Sequence, residues 1–278
     1  MKGKLMTRKK PTIADLRALK GIRQLTMLRV MTLDEAAAAE AAGIDIVSVP
    51  PELVSQPQYR DVAPTLFSMT GKTHLEAGTR DDFHRFACQM MLAGADAIYC
   101  SGGLGTVRAL ADEHIPVVGH VGLVPSRATW TGGFRAVAKT ADAAMALLAE
   151  VQAYQAAGAF ALEVEVVPDA VASAISARTG LLLWSMGAGA GCDAQYLFAE
   201  DILGQNRGHM PRHSKVYRDF AAEYDRLQSE RIAAFREYVA DVADGSYPQD
   251  SHLVKMADTE LAQFQEMLEE KLNAKASS

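Results

Sequence analysis

Residues 141–168, ADAAMALLAEVQAYQAAGAFALEVEVVP, hold a helix, a helix stop and a strand in succession. Ala144, Leu147, Leu148, Val151 and Tyr154 recur at helical spacing, which predicts a helix over 140–156 with one face suited to packing on a sheet. Gly158 then ends that helix through a left-handed residue and turns the chain. The stretch FALEVEV at 160–166 alternates in character and reads as a strand. The same succession recurs in AAGIDIV at 41–47 and LAGADAIYC at 92–100.

Extended along the chain, this pattern predicts strands at 25–31, 44–49, 65–69, 96–100, 116–120, 160–166, 180–186 and 195–199. Helices are predicted at 34–42, 80–92, 104–112, 140–156 and 168–178. Repeated β-α units of this kind predict an α/β fold, and eight of them suit a (βα)8 TIM barrel. No G-x-G-x-x-G opens a helix after the first strand, which argues against a dinucleotide-binding sheet. Beyond the eighth strand, 211–243 reads as one long charged helix, 244–252 as a turn-rich segment and 259–272 as an amphipathic helix. One barrel domain over 1–278 is expected, with 205–278 a helical extension packed on the barrel or on another subunit.

With 278 residues, 49% of them hydrophobic, the chain is long enough and apolar enough for such a barrel. A net charge of -6 leaves no basic surplus for phosphates and argues against nucleic acid as a partner. No apolar run is long enough to span a membrane, and the basic opening MKGKLMTRKK lacks the apolar core of a secretory signal. Three cysteines without a C-x-x-C spacing point to a reducing cytoplasm, with Cys88 expected in a helix core and Cys100 in a strand core.

Barrels of this type carry their reactive groups at the carboxyl ends of the strands. That rule selects Arg29, Glu52, Lys72, Tyr99, Ser101, His120, Glu163 and Glu165. Glu163 and Glu165 stand two apart on one strand, so they share a face, while Leu162, Val164 and Val166 take the other. Two carboxylates projecting into a barrel suit general acid–base work with at least one raised pKa. The structural alternative is a pair of buried salt bridges, with Arg29 as the expected partner of Glu163. His120, in IPVVGHVGLVP, could hydrogen-bond an anionic oxygen or simply pin the following loop. GAGAGCDAQ at 187–195 could offer backbone N–H groups to an anion or form a tight strand-to-strand connection.

Several motifs fall in a fixed order: GHVGLVP (119–125), GGF (132–134), Lys139-Thr140, GAFALEVEVVP (158–168), GAGAGCDAQ (187–195) and G-x-YP…H (245–252). Together they resemble the ketopantoate hydroxymethyltransferase family, most strongly over 93–252. The resemblance implies a barrel of the phosphoenolpyruvate/pyruvate superfamily type and a homo-oligomer. It also implies carbon–carbon bond formation between a 2-oxo acid and a one-carbon unit from methylenetetrahydrofolate, assisted by Mg2+. It places the family's catalytic glutamate on Glu165 and its substrate-contacting histidine on His120.

The family's metal-binding strand ends are altered in this chain. Pro51, Gly71 and Ser101 stand where acidic residues are found in the family, and Tyr99 stands where it has a lysine. No family-type magnesium site is therefore expected, since a hard divalent ion wants several oxygen ligands. Meanwhile Glu163 and Arg29 are gained. The expectation is a divergent aldolase-type enzyme, a hydroxymethyltransferase or lyase, acting on a small 2-oxo acid or related carbonyl compound. In it Glu165 and His120 are catalytic, and Arg29, Glu52, Lys72, Tyr99, Ser101 and Glu163 contact substrate. Authentic 3-methyl-2-oxobutanoate hydroxymethyl transfer and a non-catalytic binding barrel are the alternatives.

Overall fold

Eight parallel strands follow one another in chain order and close on themselves, β8 pairing with β1. They are β1 (Leu25–Arg29), β2 (Ile46–Val49), β3 (Phe67–Lys72), β4 (Ala97–Cys100), β5 (Val117–Gly122), β6 (Ala161–Glu165), β7 (Leu182–Met186) and β8 (Ala194–Phe198). The computed structural model describes residues 8–276, so residues 1–7 of the basic opening stretch lie outside the described residues. The chain divides into two units, Met1–Ala221 and Ala222–Ser278.

The first unit is the barrel. Helices Leu33–Ala42, Arg80–Leu92, Leu104–Asp112, Ala141–Ala156 and Asp169–Ser176 occur where alternation and capping predicted them. Gly158 has φ +93, and a Cβ there would meet Ala111 Cβ at 2.6 Å, so both conformation and space call for glycine. Two connections lack a long helix. After β2 the chain makes two single turns, Pro51–Val54 and Tyr59–Val62, and between β7 and β8 it runs directly through the glycine-rich loop.

Strand alternation divides the core in two. Met27, Ile46, Phe67, Met69, Val118, Trp184 and Tyr196 pack inside the lumen, with Leu16 joining them from the helix Ile13–Ala18 ahead of β1. Val47, Ile98, Val121, Leu162 and Val164 face outward onto Phe83, Val107, Leu147, Val151 and Tyr154 of the surrounding helices. Cys88 is exposed rather than in the helix core, because the buried stripe of its helix is Phe83, Phe86, Ala87 and Met90.

The long helix begins at Phe220, not at 211. Residues 211–219 instead satisfy their polar groups on the loop after β8: Ser214 Oγ donates to Asp201 at 2.9 Å and Tyr217 N to Ile202 O at 2.8 Å. The second unit contains the rest of that helix, to Asp244, and the helix Asp258–Ala276. Between them Tyr247 of the G-x-YP motif packs its ring against Tyr238 and His252 at 5.6 and 5.1 Å. Among the described residues no helix is long and apolar enough to cross a membrane.

Candidate active site

The carboxyl ends of the strands surround a cavity of about 520 Å³, within the range of small-molecule sites. Its wall includes Arg29 of β1, Tyr99 of β4, His120 of β5, and Glu163 and Glu165 of β6. Lys72 and Glu52 line it too. The Lys72 ammonium lies 5.1 Å from the centre of the Phe86 ring, and Glu52 is exposed on the single turn after β2.

His120 is the centre of the arrangement. It is 3% exposed and directly opposite Glu163 in the β5–β6 register. Its Nε2 lies 3.1 Å from Glu165 Oε2 and its Nδ1 3.5 Å from Glu163 Oε2. Nε2 makes no aligned hydrogen bond, so the Glu165 contact is a close approach rather than a formed N–H···O bond. The Tyr99 hydroxyl sits 3.0 Å from Nδ1.

Burial pushes the Glu163 carboxyl up to about 7; His120 opposes the shift, Glu165 adds to it and Arg29 opposes it more weakly. Burial, reinforced by Glu163, also raises the Tyr99 phenol, which keeps its proton near neutral pH. Burial lowers the basicity of His213, which lines the same cavity.

The expected Arg29–Glu163 pair is not formed. Arg29 Nη1 donates to Ser48 Oγ at 3.1 Å, and both side chains favour the ionised form of the Tyr196 phenol against a larger upward push from burial. The reason is register: β1 lies between β2 and β8, and Arg29 is aligned with Ser48 and Phe198, whereas Glu163 is aligned with His120 and Trp184.

Ser101 is also corrected. It lies in an adjoining pocket with His74, Arg127 and Trp130, where its Oγ accepts from His74 N at 2.9 Å. Past the end of β4 the lumen-facing alternation stops, so Ser101 no longer follows Tyr99 into the cavity.

Sequence reading missed Ser48, Tyr196, Asp201 and His213. Ser48 and Tyr196 were findable, since both fall on the lumen phase of their strands. His213 was hidden by assigning it to a helix.

The residues at the three altered strand ends do not fit a family-type magnesium ion. Pro51 has no side-chain oxygen, and Ser101 is outside the cavity. At Gly71 even a Cβ would stand 2.5 Å from Tyr99 Cβ and from Tyr99 O, so no ligand side chain has room beside Tyr99. Of the three other wall carboxylates, Glu76 accepts from Thr73 N and Oγ1 at 2.7 Å, Asp201 accepts from Asn206 and Ser214 at 2.9 Å, and Glu52 is a single exposed carboxylate at the rim.

A closed parallel barrel with two carboxylates and an imidazole gathered at its carboxyl end defines a TIM-barrel protein with its cavity at the usual end of that fold. The fold is similar to that of a solved protein from Burkholderia cenocepacia J2315 whose phosphonomutase assignment is itself an inference (15% identity, 82% of this chain and 100% of that one, TM-score 0.53). A family profile described as ketopantoate hydroxymethyltransferase matches residues 74–250. The chain is 33% identical to the 3-methyl-2-oxobutanoate hydroxymethyltransferase of Nitratidesulfovibrio vulgaris (strain DP4), over 94% of this chain and 90% of that one. It is 31% identical to 3-methyl-2-oxobutanoate hydroxymethyltransferase 1 of Methylibium petroleiphilum, over 95% and 96%. The chain belongs to the ketopantoate hydroxymethyltransferase family, a family of aldolase-type enzymes.

Proposed function

We propose that the protein makes or breaks a carbon–carbon bond of a small 2-oxo acid through an enolate, without the family's magnesium ion. The observation that carries this reading is the lumen position of Glu165, at the cavity wall and 3.1 Å from His120, in a site whose family metal positions cannot supply ligands. Glu165 takes a proton from C3 of the 2-oxo acid, the C–H electron pair forms the C2–C3 double bond, and the carbonyl π pair moves onto oxygen. The enolate carbon then attacks an aldehyde-level one-carbon unit, or the sequence runs in reverse as a cleavage. His120 donates to the enolate oxygen, and Arg29, a fixed cation on the opposite wall, takes the substrate carboxylate. A Lewis-acid metal supplies several kcal/mol of charge stabilisation, and these groups are proposed to stand in for part of it. Three unpaired cysteines support a reducing, cytoplasmic setting.

Authentic 3-methyl-2-oxobutanoate hydroxymethyl transfer with methylenetetrahydrofolate is the second reading, favoured by the name of both long relatives. Deuterium exchange at C3 of 3-methyl-2-oxobutanoate and related 2-oxo acids, followed by NMR with EDTA or with added magnesium, separates the two. Exchange that persists in EDTA is the expected result. A strict requirement for magnesium supports the second reading, and no exchange on any acid points to a binding barrel.

A further inference from the structure

Glu163 is a buried carboxylate that the proposed proton abstraction leaves idle. It lies two residues before Glu165 on the same lumen face of β6, opposite His120 of β5. The imidazole therefore has a carboxylate at each nitrogen, at 3.1 Å on the Glu165 side and 3.5 Å on the Glu163 side. Tyr99 of β4 touches the same Nδ1 at 3.0 Å. The cation on the far wall, Arg29 of β1, is hydrogen-bonded to Ser48. His213, from the loop beyond β8, lies in the electrostatic reach of Glu165.

An imidazole held in this way can pass a proton through itself. Each nitrogen is a donor in one tautomer and an acceptor in the other, so the ring need not turn over. Contacts slightly long or misaligned in a free enzyme tighten when substrate binds. We infer that Glu163 is a positioning residue that receives, by way of His120, the proton Glu165 removes from the substrate.

The inference rests on the proposed abstraction by Glu165, and its proton balance is closed. Glu165 takes the substrate proton and becomes the acid, then gives it to Nε2 as the Nδ1 proton passes to Glu163. Glu165 ends as a carboxylate again, Glu163 as the acid, and His120 as the neutral ring with its proton on Nε2, from which it donates to the enolate oxygen. The reverse sequence delivers the proton to the product carbon. Tyr99, which keeps its phenolic proton, can donate to Nδ1 once that nitrogen has given up its proton, and before that step can only accept from it.

Only ionised Glu163 can accept, and burial sets its titration at about 7. C3 exchange should therefore rise with pH through that region. The test is a titration of the full chain from about pH 5 to 9 by ¹⁵N-histidine NMR, with the His120 signals assigned from His120→Asn. It runs beside the pH profile of C3 exchange for the wild type and Glu163→Gln. In the wild type, the His120 nitrogens should exchange donor and acceptor character as Glu163 ionises, and exchange should rise about tenfold over the same interval. In Glu163→Gln the tautomer change should vanish and the profile should flatten at the lower rate, with KM unaltered. Glu163→Asp should recover part of the step.

Wild-type His120 signals that keep one tautomer throughout overturn the proposal, and this arm needs no variant to fold. So does an unchanged pH profile in Glu163→Gln. A tautomer change without exchange on any 2-oxo acid upholds the relay geometry and sinks the enolate reading instead.

Discussion

The two ends of the barrel treat buried carboxylates in opposite ways. At the amino end, Asp45, Asp96 and Asp193 each stand one residue ahead of a strand, namely β2, β4 and β8. Each accepts a backbone N–H from the neighbouring strand or its edge: Thr26 at 2.9 Å, Ser68 at 2.8 Å and Leu183 at 2.7 Å. Each is also paired with a cation. Arg23 grips Asp45 through two nitrogens at 2.8 and 2.9 Å, Arg60 meets Asp96 at 2.7 Å, and Lys20 meets Asp193 at 2.7 Å. Although burial opposes it, these bonds hold Asp45 below the usual carboxylate range. At the carboxyl end, Glu163 and Glu165 share a histidine and have no paired cation within 4 Å among the described residues. Charge at the amino end is matched and contributes stability, whereas charge at the carboxyl end is left under tension and available for chemistry.

Glu165→Gln should give the largest effect: a loss of C3 exchange of about a thousandfold, with the melting temperature unchanged within about 2 °C. A large fall in melting temperature instead would place Glu165 among the structural carboxylates. Asp96→Ala probes the other end, since it leaves the Ser68 N–H without its acceptor and the Arg60 charge without its carboxylate, although Arg60 keeps the carbonyls of Ala63, Leu66 and Gly94. It should cost about 3–5 kcal/mol in urea unfolding and leave the exchange rate per folded molecule intact. Altered exchange at full stability would mean that the two ends are coupled.

The smallest effect separates the ends by pH. Glu163 has a folded pKa of about 7, above its ordinary 4.5, so its contribution is fully present below the lower value and is lost as pH rises through the upper one. Wild-type stability should fall by about 3 kcal/mol from this group between those values, and Glu163→Gln should lack that slope. Equal slopes in urea unfolding at pH 4.5 and 8 would show that Glu163 is not strained by burial. Glu163→Gln should not disturb Arg29, whose partner is Ser48.

Strand alternation and helix stops were legible because they are local. A period of two needs no knowledge of neighbours, and it placed Glu163 and Glu165 on the lumen face while sending Leu162 and Val164 outward. The ordered motifs likewise identified the family, because Glu165 and His120 lie within short contiguous motifs rather than depending on distant contacts. Less legible were residues past a strand end, such as Ser101, and residues in irregular chain, such as His213. No period extends into a loop.

By itself the sequence determined eight strands, their order, the side on which Arg29, Tyr99, His120, Glu163 and Glu165 project, and the loss of oxygen ligands at Pro51 and Gly71. Only the tertiary structure decided who faces whom. Closing the sheet set β5 against β6 and β1 between β8 and β2, and register then aligned Glu163 with His120 and Arg29 with Ser48. The phase of a strand is carried by its own residues, but a partner across a strand pair depends on where the neighbouring chain comes to rest, and that is set by the packing of the whole barrel.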